Sequence, residues 1–183
     1  MATAVVRHVH AHPPRYIATL SPKPTPFLKP TLLLPADLSI HHQRYDATET
    51  ASFEIGCPCG NPLLVLLGFW KADSGDRILV GPLRVECPKC GANSELFDTR
   101  EHGYDGEQGV NTHMVGEGRP ERFRCPGCNG EAMKLIANFS YGGSDGLSAE
   151  LQARVQDYFD TFDLVGSCDK CFAIVEITSF ECA

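Results

Sequence analysis

Four close cysteine pairs constrain this chain more than any other feature: Cys57-Pro58-Cys59, Cys87-Pro88-Lys89-Cys90, Cys125-Pro126-Gly127-Cys128 and Cys168-Asp169-Lys170-Cys171. Pairs with two intervening residues suit chelation of a metal through a tight turn. The cysteine total of nine is odd, with Cys182 left over, and an odd count fits a closed disulfide framework poorly. No apolar stretch with a cleavage site follows Met1, which points away from an oxidising, secreted setting. Cys57, Cys59, Cys87, Cys90, Cys125, Cys128, Cys168 and Cys171 are therefore the candidate metal ligands. Two zinc ions are expected, each held by four sulfurs at about 2.3 Å in a tetrahedron.

The residues flanking the pairs support turns that point backbone N–H groups at thiolates. Proline follows the first cysteine in three of the pairs and preorganises the turn. Gly91 and Asn129 follow the second cysteine in two of them, and both residue types tolerate a positive φ. Between Cys59 and Cys87 lie 27 residues: an apolar run at 63–70, a polar turn Asp73-Ser74-Gly75-Asp76, and a second apolar run at 78–85. That pattern reads as strand, hairpin turn, strand.

Knuckles of the form Cys-Pro-x-Cys-Gly, as at Cys87-Pro88-Lys89-Cys90-Gly91, joined by such a hairpin resemble the zinc-ribbon and rubredoxin-like superfamily. The resemblance covers the knuckles and the hairpin between them. It implies structural zinc in closed tetrathiolate sites and a mainly β fold.

The second half of the chain repeats the first at an offset of 69. Cys59 then meets Cys128, Leu64 meets Met133, Leu66 meets Leu135, Leu67 meets Ile136 and Trp70 meets Phe139. The repeat groups Cys57, Cys59, Cys87 and Cys90 at site one, and Cys125, Cys128, Cys168 and Cys171 at site two. The alternative joins 87/90 to 125/128 across a loop of 34 residues and stays open on sequence grounds. The second gap, with 39 residues, exceeds the first by 12. The excess falls where Leu151, Val155, Tyr158 or Phe159, and Phe162 recur at helical spacing behind a Ser148 N-cap. The expected fold is thus two tandem zinc-ribbon-like β units, with one amphipathic helix at about 148–162 inserted in the second. Cys57-Pro58-Cys59 has one residue between its cysteines, and the tighter chelate makes site one the expected labile site. It is also similar to the Cys-x-Cys of the glutathione-dependent formaldehyde-activating family. The separate cysteine cluster that holds that family's catalytic zinc has no counterpart here, so the activity does not carry over.

The chain divides into a Pro-rich extended arm at 1–36, a first unit at 37–98, a Gly-rich linker at 99–122 and a second unit at 123–183. The arm holds seven of thirteen prolines and alternating His8, His10 and His12, read as solvated side chains. Alternation around Leu38, Ile40, Phe53 and Ile55 predicts a hairpin leading into Cys57. His102, Tyr104, Asp105, Glu107 and His113 are the linker's polar cluster, read as solvated loop.

Charge narrows the partners. The arm carries four cations and no acid, so of the net charge of -7 the remaining chain holds -11. An acidic body suits polyphosphate poorly. The expectation is a non-enzymatic, cytoplasmic zinc protein with a protein partner, without catalytic or organic-cofactor residues and without a membrane span. Organelle import through 1–36 stays open. The alternatives are a nucleic-acid-binding ribbon, with Lys89, Lys170, Arg84, Arg122 and Arg124 near the knuckles, and a thiol- or metal-dependent redox protein.

Overall fold

A computed structural model describes residues 34–45, 50–73, 76–98, 115–140, 159 and 161–181. These residues form nine strands: β1 Ser39–Tyr45, β2 Thr50–Gly56, β3 Leu64–Asp73, β4 Asp76–Glu86, β5 Asn93–Phe97, β6 Glu121–Arg122, β7 Ala132–Ser140, β8 Thr161–Cys168 and β9 Ile174–Glu181. All ladders between them are antiparallel and belong to one sheet. Its main path runs β1-β2-β7-β3-β4-β5, with β6 beside β3, β8 beside β7 and β9 beside β8.

The expected hairpins are present. β1 pairs with β2, and β3 with β4 through Asp73 opposite Asp76. Strands form here because apolar residues recur with period two. In β7 and β8 alternate side chains from Met133 to Phe139 and from Phe162 to Cys168 are buried.

The expected tandem units with an inserted helix are not what the described residues show. One curled sheet runs through both halves, and no helix occurs among the described residues. A three-stranded ribbon leaves an open edge on its first strand. Here the first strands of the two halves, β3 and β7, meet at Leu64↔Met133 and Val65↔Ala132. Most of the helix expected at 148–162 lies outside the described residues, but its last two positions, Thr161 and Phe162, open β8. Phe162 fits both a helical and an alternating pattern. Its alternation with Leu164, Gly166 and Cys168 prevails because it places the ring on the buried face.

Curling brings the two ends of the sheet together around aromatic rings. Phe97 of β5 stacks on Phe162 of β8, with centroids 4.0 Å apart, and on Phe180 of β9 at 5.4 Å. Phe139 meets Phe53, Phe159 and Phe162 at 5.9, 4.9 and 5.2 Å. Thr178 Oγ1 of β9 donates to the Leu79 carbonyl of β4 at 2.7 Å. The result is a single buried cluster that includes Cys57, Cys87, Cys125 and Cys168.

Of the arm, only Leu34 to Ala36 are described, and Leu34 is buried in that cluster. Of the linker, residues 99–114 lie outside the described set, and with them His102, Tyr104, Asp105, Glu107 and His113. The last part of that segment lies on the sheet: Gly116 N–H donates to the Gly81 carbonyl at 2.8 Å, and β6 pairs with β3. Gly116 approaches Phe69 so closely that a Cβ would stand 2.0 Å from the Phe69 Cβ.

Candidate metal centres

Each cysteine pair sits in a turn where a strand ends. The Cys57 pair lies between β2 and β3, the Cys87 pair between β4 and β5, the Cys125 pair between β6 and β7, and the Cys168 pair between β8 and β9. Three turns share one hydrogen-bond plan. The first cysteine's N–H donates to the carbonyl five residues on (Ala92, Gly130 and Ala173), and its own carbonyl accepts from the residue after the second cysteine. In the Cys57 turn every rung is one residue shorter: Cys57 N–H donates to Asn61 and Gly60 N–H to Cys57, both at 2.9 Å. The turn thus keeps its pattern after losing a residue. In all four turns the residue after the second cysteine is left-handed: Gly60, Gly91, Asn129 and Phe172 have φ of 84, 76, 57 and 60°.

The structure groups the eight cysteines into Cys57, Cys59, Cys87 and Cys90, and into Cys125, Cys128, Cys168 and Cys171. Within each group all sulfurs lie within 4.8 Å of one another. The closest approaches are 3.5 Å for Cys57–Cys90, 3.7 Å for Cys59–Cys87, and 3.5 Å for both Cys125–Cys171 and Cys128–Cys168. A disulfide needs about 2.05 Å, whereas a tetrahedron with metal–sulfur bonds of about 2.3 Å has edges of roughly 3.8 Å. The swapped grouping, 87/90 with 125/128, does not form. Cys182 lies outside the described residues.

Both groups are set into the protein in the same way. The first cysteine of each pair is buried. Its partner faces outward, with Cys59, Cys90 and Cys171 at the surface and Cys128 half-buried. In each group one thiol ionises easily and one resists. Burial opposes ionisation of Cys87, but the Asn61 side-chain amide and the N–H groups of Cys90 and Lys89 bring it down to about 6. Burial likewise opposes Cys168, and the N–H groups of Cys171 and Lys170 bring it down to about 7. The Cys59 N–H favours the Cys57 thiolate, but burial and the neighbouring sulfurs prevail and push it up to about 12. Cys128 is raised as well, the Gly130 amide being outweighed by burial and by Cys171 and Cys168. Four soft sulfurs with amide donors around them make a donor set for a thiophilic cation.

Asn61 is a site residue that motif reading passes over. Its Nδ2 donates to Cys87 Sγ at 3.5 Å and to the Leu63 carbonyl at 3.0 Å, while its Oδ1 accepts from Leu63 N–H at 3.3 Å. It occupies the turn position held elsewhere by Ala92, Gly130 and Ala173, so an amide at that point was the readable signal. At its counterpart Gly130 a Cβ would stand 3.0 Å from Cys168 Sγ and 3.3 Å from Cys128 Sγ, so a side chain there would press on the sulfurs.

The arginines near the knuckles face acids. Arg122 bridges Glu86 at 2.9 Å and Glu131 at 3.1 Å, Arg124 binds Glu131 at 3.1 Å, and Arg84 meets Glu95 at 3.5 Å. Lys89 and Lys170 are exposed. Among the described residues no helix is long and apolar enough to cross a membrane. No protein-family model, no curated protein and no solved structure matches the chain.

Proposed function

We propose that this is a non-enzymatic zinc protein in which two closed tetrathiolate sites hold the fold together, and that it works as a protein-interaction module. The observation that carries the reading is the convergence of four sulfurs at each of two places. Four protein ligands complete a tetrahedron and leave no position for a substrate, which is the pattern of structural rather than catalytic zinc. The halves share one plan of strands and knuckles, β3-β4-β5 and β7-β8-β9, which favours an origin by duplication. Eight free thiols suit a reducing compartment such as the cytoplasm.

A protein partner is favoured by two side chains at the last knuckle. Phe172 is 79% exposed and Ile174 is 72% exposed. A bulky residue held at positive φ while facing solvent costs stability and is a recognised mark of a functional position. Nucleic acid is disfavoured because Arg84, Arg122 and Arg124 are all engaged by glutamates. Dithiol redox chemistry is disfavoured because the pairs lie between strands rather than at a helix N-terminus.

Metal analysis with native mass spectrometry, followed by exhaustive chelation, tests the reading. The expected result is two zinc ions per chain and loss of the folded state on their removal. Apparent folding energies on the order of 10 kcal/mol per structural zinc exceed or rival the net stability of a whole domain. A protein that melts at the same temperature with and without metal would refute the structural role. A coloured, iron-loaded protein would reassign the metal.

A further inference from the structure

The strands that deliver the cysteines are exchanged between the two halves. β2 runs into Cys57, yet residues 50–55 pair with residues 135–140 of β7, the strand that leaves the Cys125 turn. β6 lies just ahead of Cys125, yet it pairs with β3 at Leu67 and Gly68, and β3 is the strand that leaves the Cys57 turn. Phe123 N–H extends this contact, donating to the Leu66 carbonyl at 2.8 Å. β3 and β7 join directly at Leu64↔Met133 and Val65↔Ala132. Arg122 ties Glu86, the residue before Cys87, to Glu131, just past the Cys128 turn. The four inner cysteines share one buried cluster.

A metal ion at either site fixes two turns relative to each other and so orders the strands that enter and leave them. Among those strands, β2 and β3 of site one are ladder partners of β6 and β7 of site two. Ordering entropy lost when the first ion binds is not lost a second time. We propose that the two sites load cooperatively, a metal ion in one raising the affinity of the other. The proposal rests on the metal-binding reading above and adds that the exchanged strands couple the sites.

The test is a thermodynamic cycle on the full-length chain. Zn²⁺ affinity is measured by competition with a chromophoric chelator for the wild type and for two variants, Cys59→Ser/Cys90→Ser and Cys128→Ser/Cys171→Ser. Each variant loses the two outer ligands of one site and keeps the other site whole. For independent sites the overall two-ion constant of the wild type equals the product of the two single-site constants, however unequal those are. Coupling is expected to raise it at least about 5-fold above that product, the lower end of ordinary site-to-site coupling. A rise smaller than about 5-fold overturns the proposal. Because a serine variant can fail to fold, the wild type is also followed by native mass spectrometry during stepwise zinc withdrawal. Alkylation of the free thiols with peptide mapping assigns the singly loaded chains to site one or site two. The product of the two-ion and metal-free populations, divided by the product of the two singly loaded populations, is one for independent sites and is expected to reach at least about 5; a smaller ratio overturns the proposal. A wild type that takes up no Zn²⁺ at all removes the metal reading itself, and the coupling with it.

Discussion

Phe172 shows how much a single backbone angle says about this protein. The knuckle needs a left-handed residue after its second cysteine, and Gly60, Gly91 and Asn129 meet that need at low cost, whereas Phe172 does not. Phe172→Gly is expected to stabilise the metal-loaded protein by about 0.5–1 kcal/mol, because relief of the left-handed penalty exceeds the added flexibility of glycine in the unfolded chain. Urea denaturation reads this directly; a loss of stability would show that the ring packs favourably. The thiols make a second prediction at this scale. Metal uptake must displace every thiol proton still present. Cys57 keeps its proton up to about pH 12 in the metal-free site, so zinc affinity at site one is expected to fall as pH falls throughout the neutral range. Below about pH 6 Cys87 is protonated as well, one more proton must leave, and the decline steepens. Chelator competition between about pH 5.5 and 8.5 checks both sign and slope. An affinity independent of pH would exclude thiolate ligation.

Among the elements, β5 is short, yet it places the ring on which the curl of the sheet closes. Phe97 is fully buried against Phe162 and Phe180, rings supplied by strands from the other half of the chain. Phe97→Ala removes those stacking contacts and leaves a cavity that the ladders cannot collapse around, so a loss of about 3–5 kcal/mol is expected. The measurement is the shift of the urea midpoint at unchanged slope. A loss below 1 kcal/mol, far under the usual cost of a buried phenylalanine, would mean that the two ends of the sheet do not depend on each other. The Arg122 bridges lie half-exposed on the surface and act as local ties, since exposed ion pairs contribute little to stability.

At the scale of the whole molecule, one aromatic and aliphatic cluster reaches from Leu34, ahead of β1, to Phe180 in β9 and takes in four of the cysteines. The two metal centres therefore lie at the margins of a common core. The loaded protein is expected to melt in a single calorimetric transition, with calorimetric and van't Hoff enthalpies in agreement. Two resolved transitions would show that the halves unfold independently despite their shared ladders.

The cysteine spacing, the turn residues around it and the period-two alternation are local patterns, so the sequence alone already determined four knuckles and the hairpin between the first two, whereas the choice between pairing first with second knuckle in each half and the swapped grouping was decided by the fold. The offset of 69 even aligned Leu64 with Met133, residues that turn out to face each other across the β3–β7 junction. What joins to what at longer range was left to tertiary structure. Edge strands present the same unpaired N–H and C=O groups whichever partner fills them, so no residue in β2 or β6 announces that it will pair with the opposite half. The stripe ending at Phe162 was ambiguous for a related reason: a ring can satisfy helical or strand periodicity until the sheet supplies Phe97 and Phe180 to stack against it. Asn61 shows the same limit at the metal site. Its position was visible in the turn, but its bond to Cys87 exists only because β3 and β4 fold back and bring the second knuckle to the first.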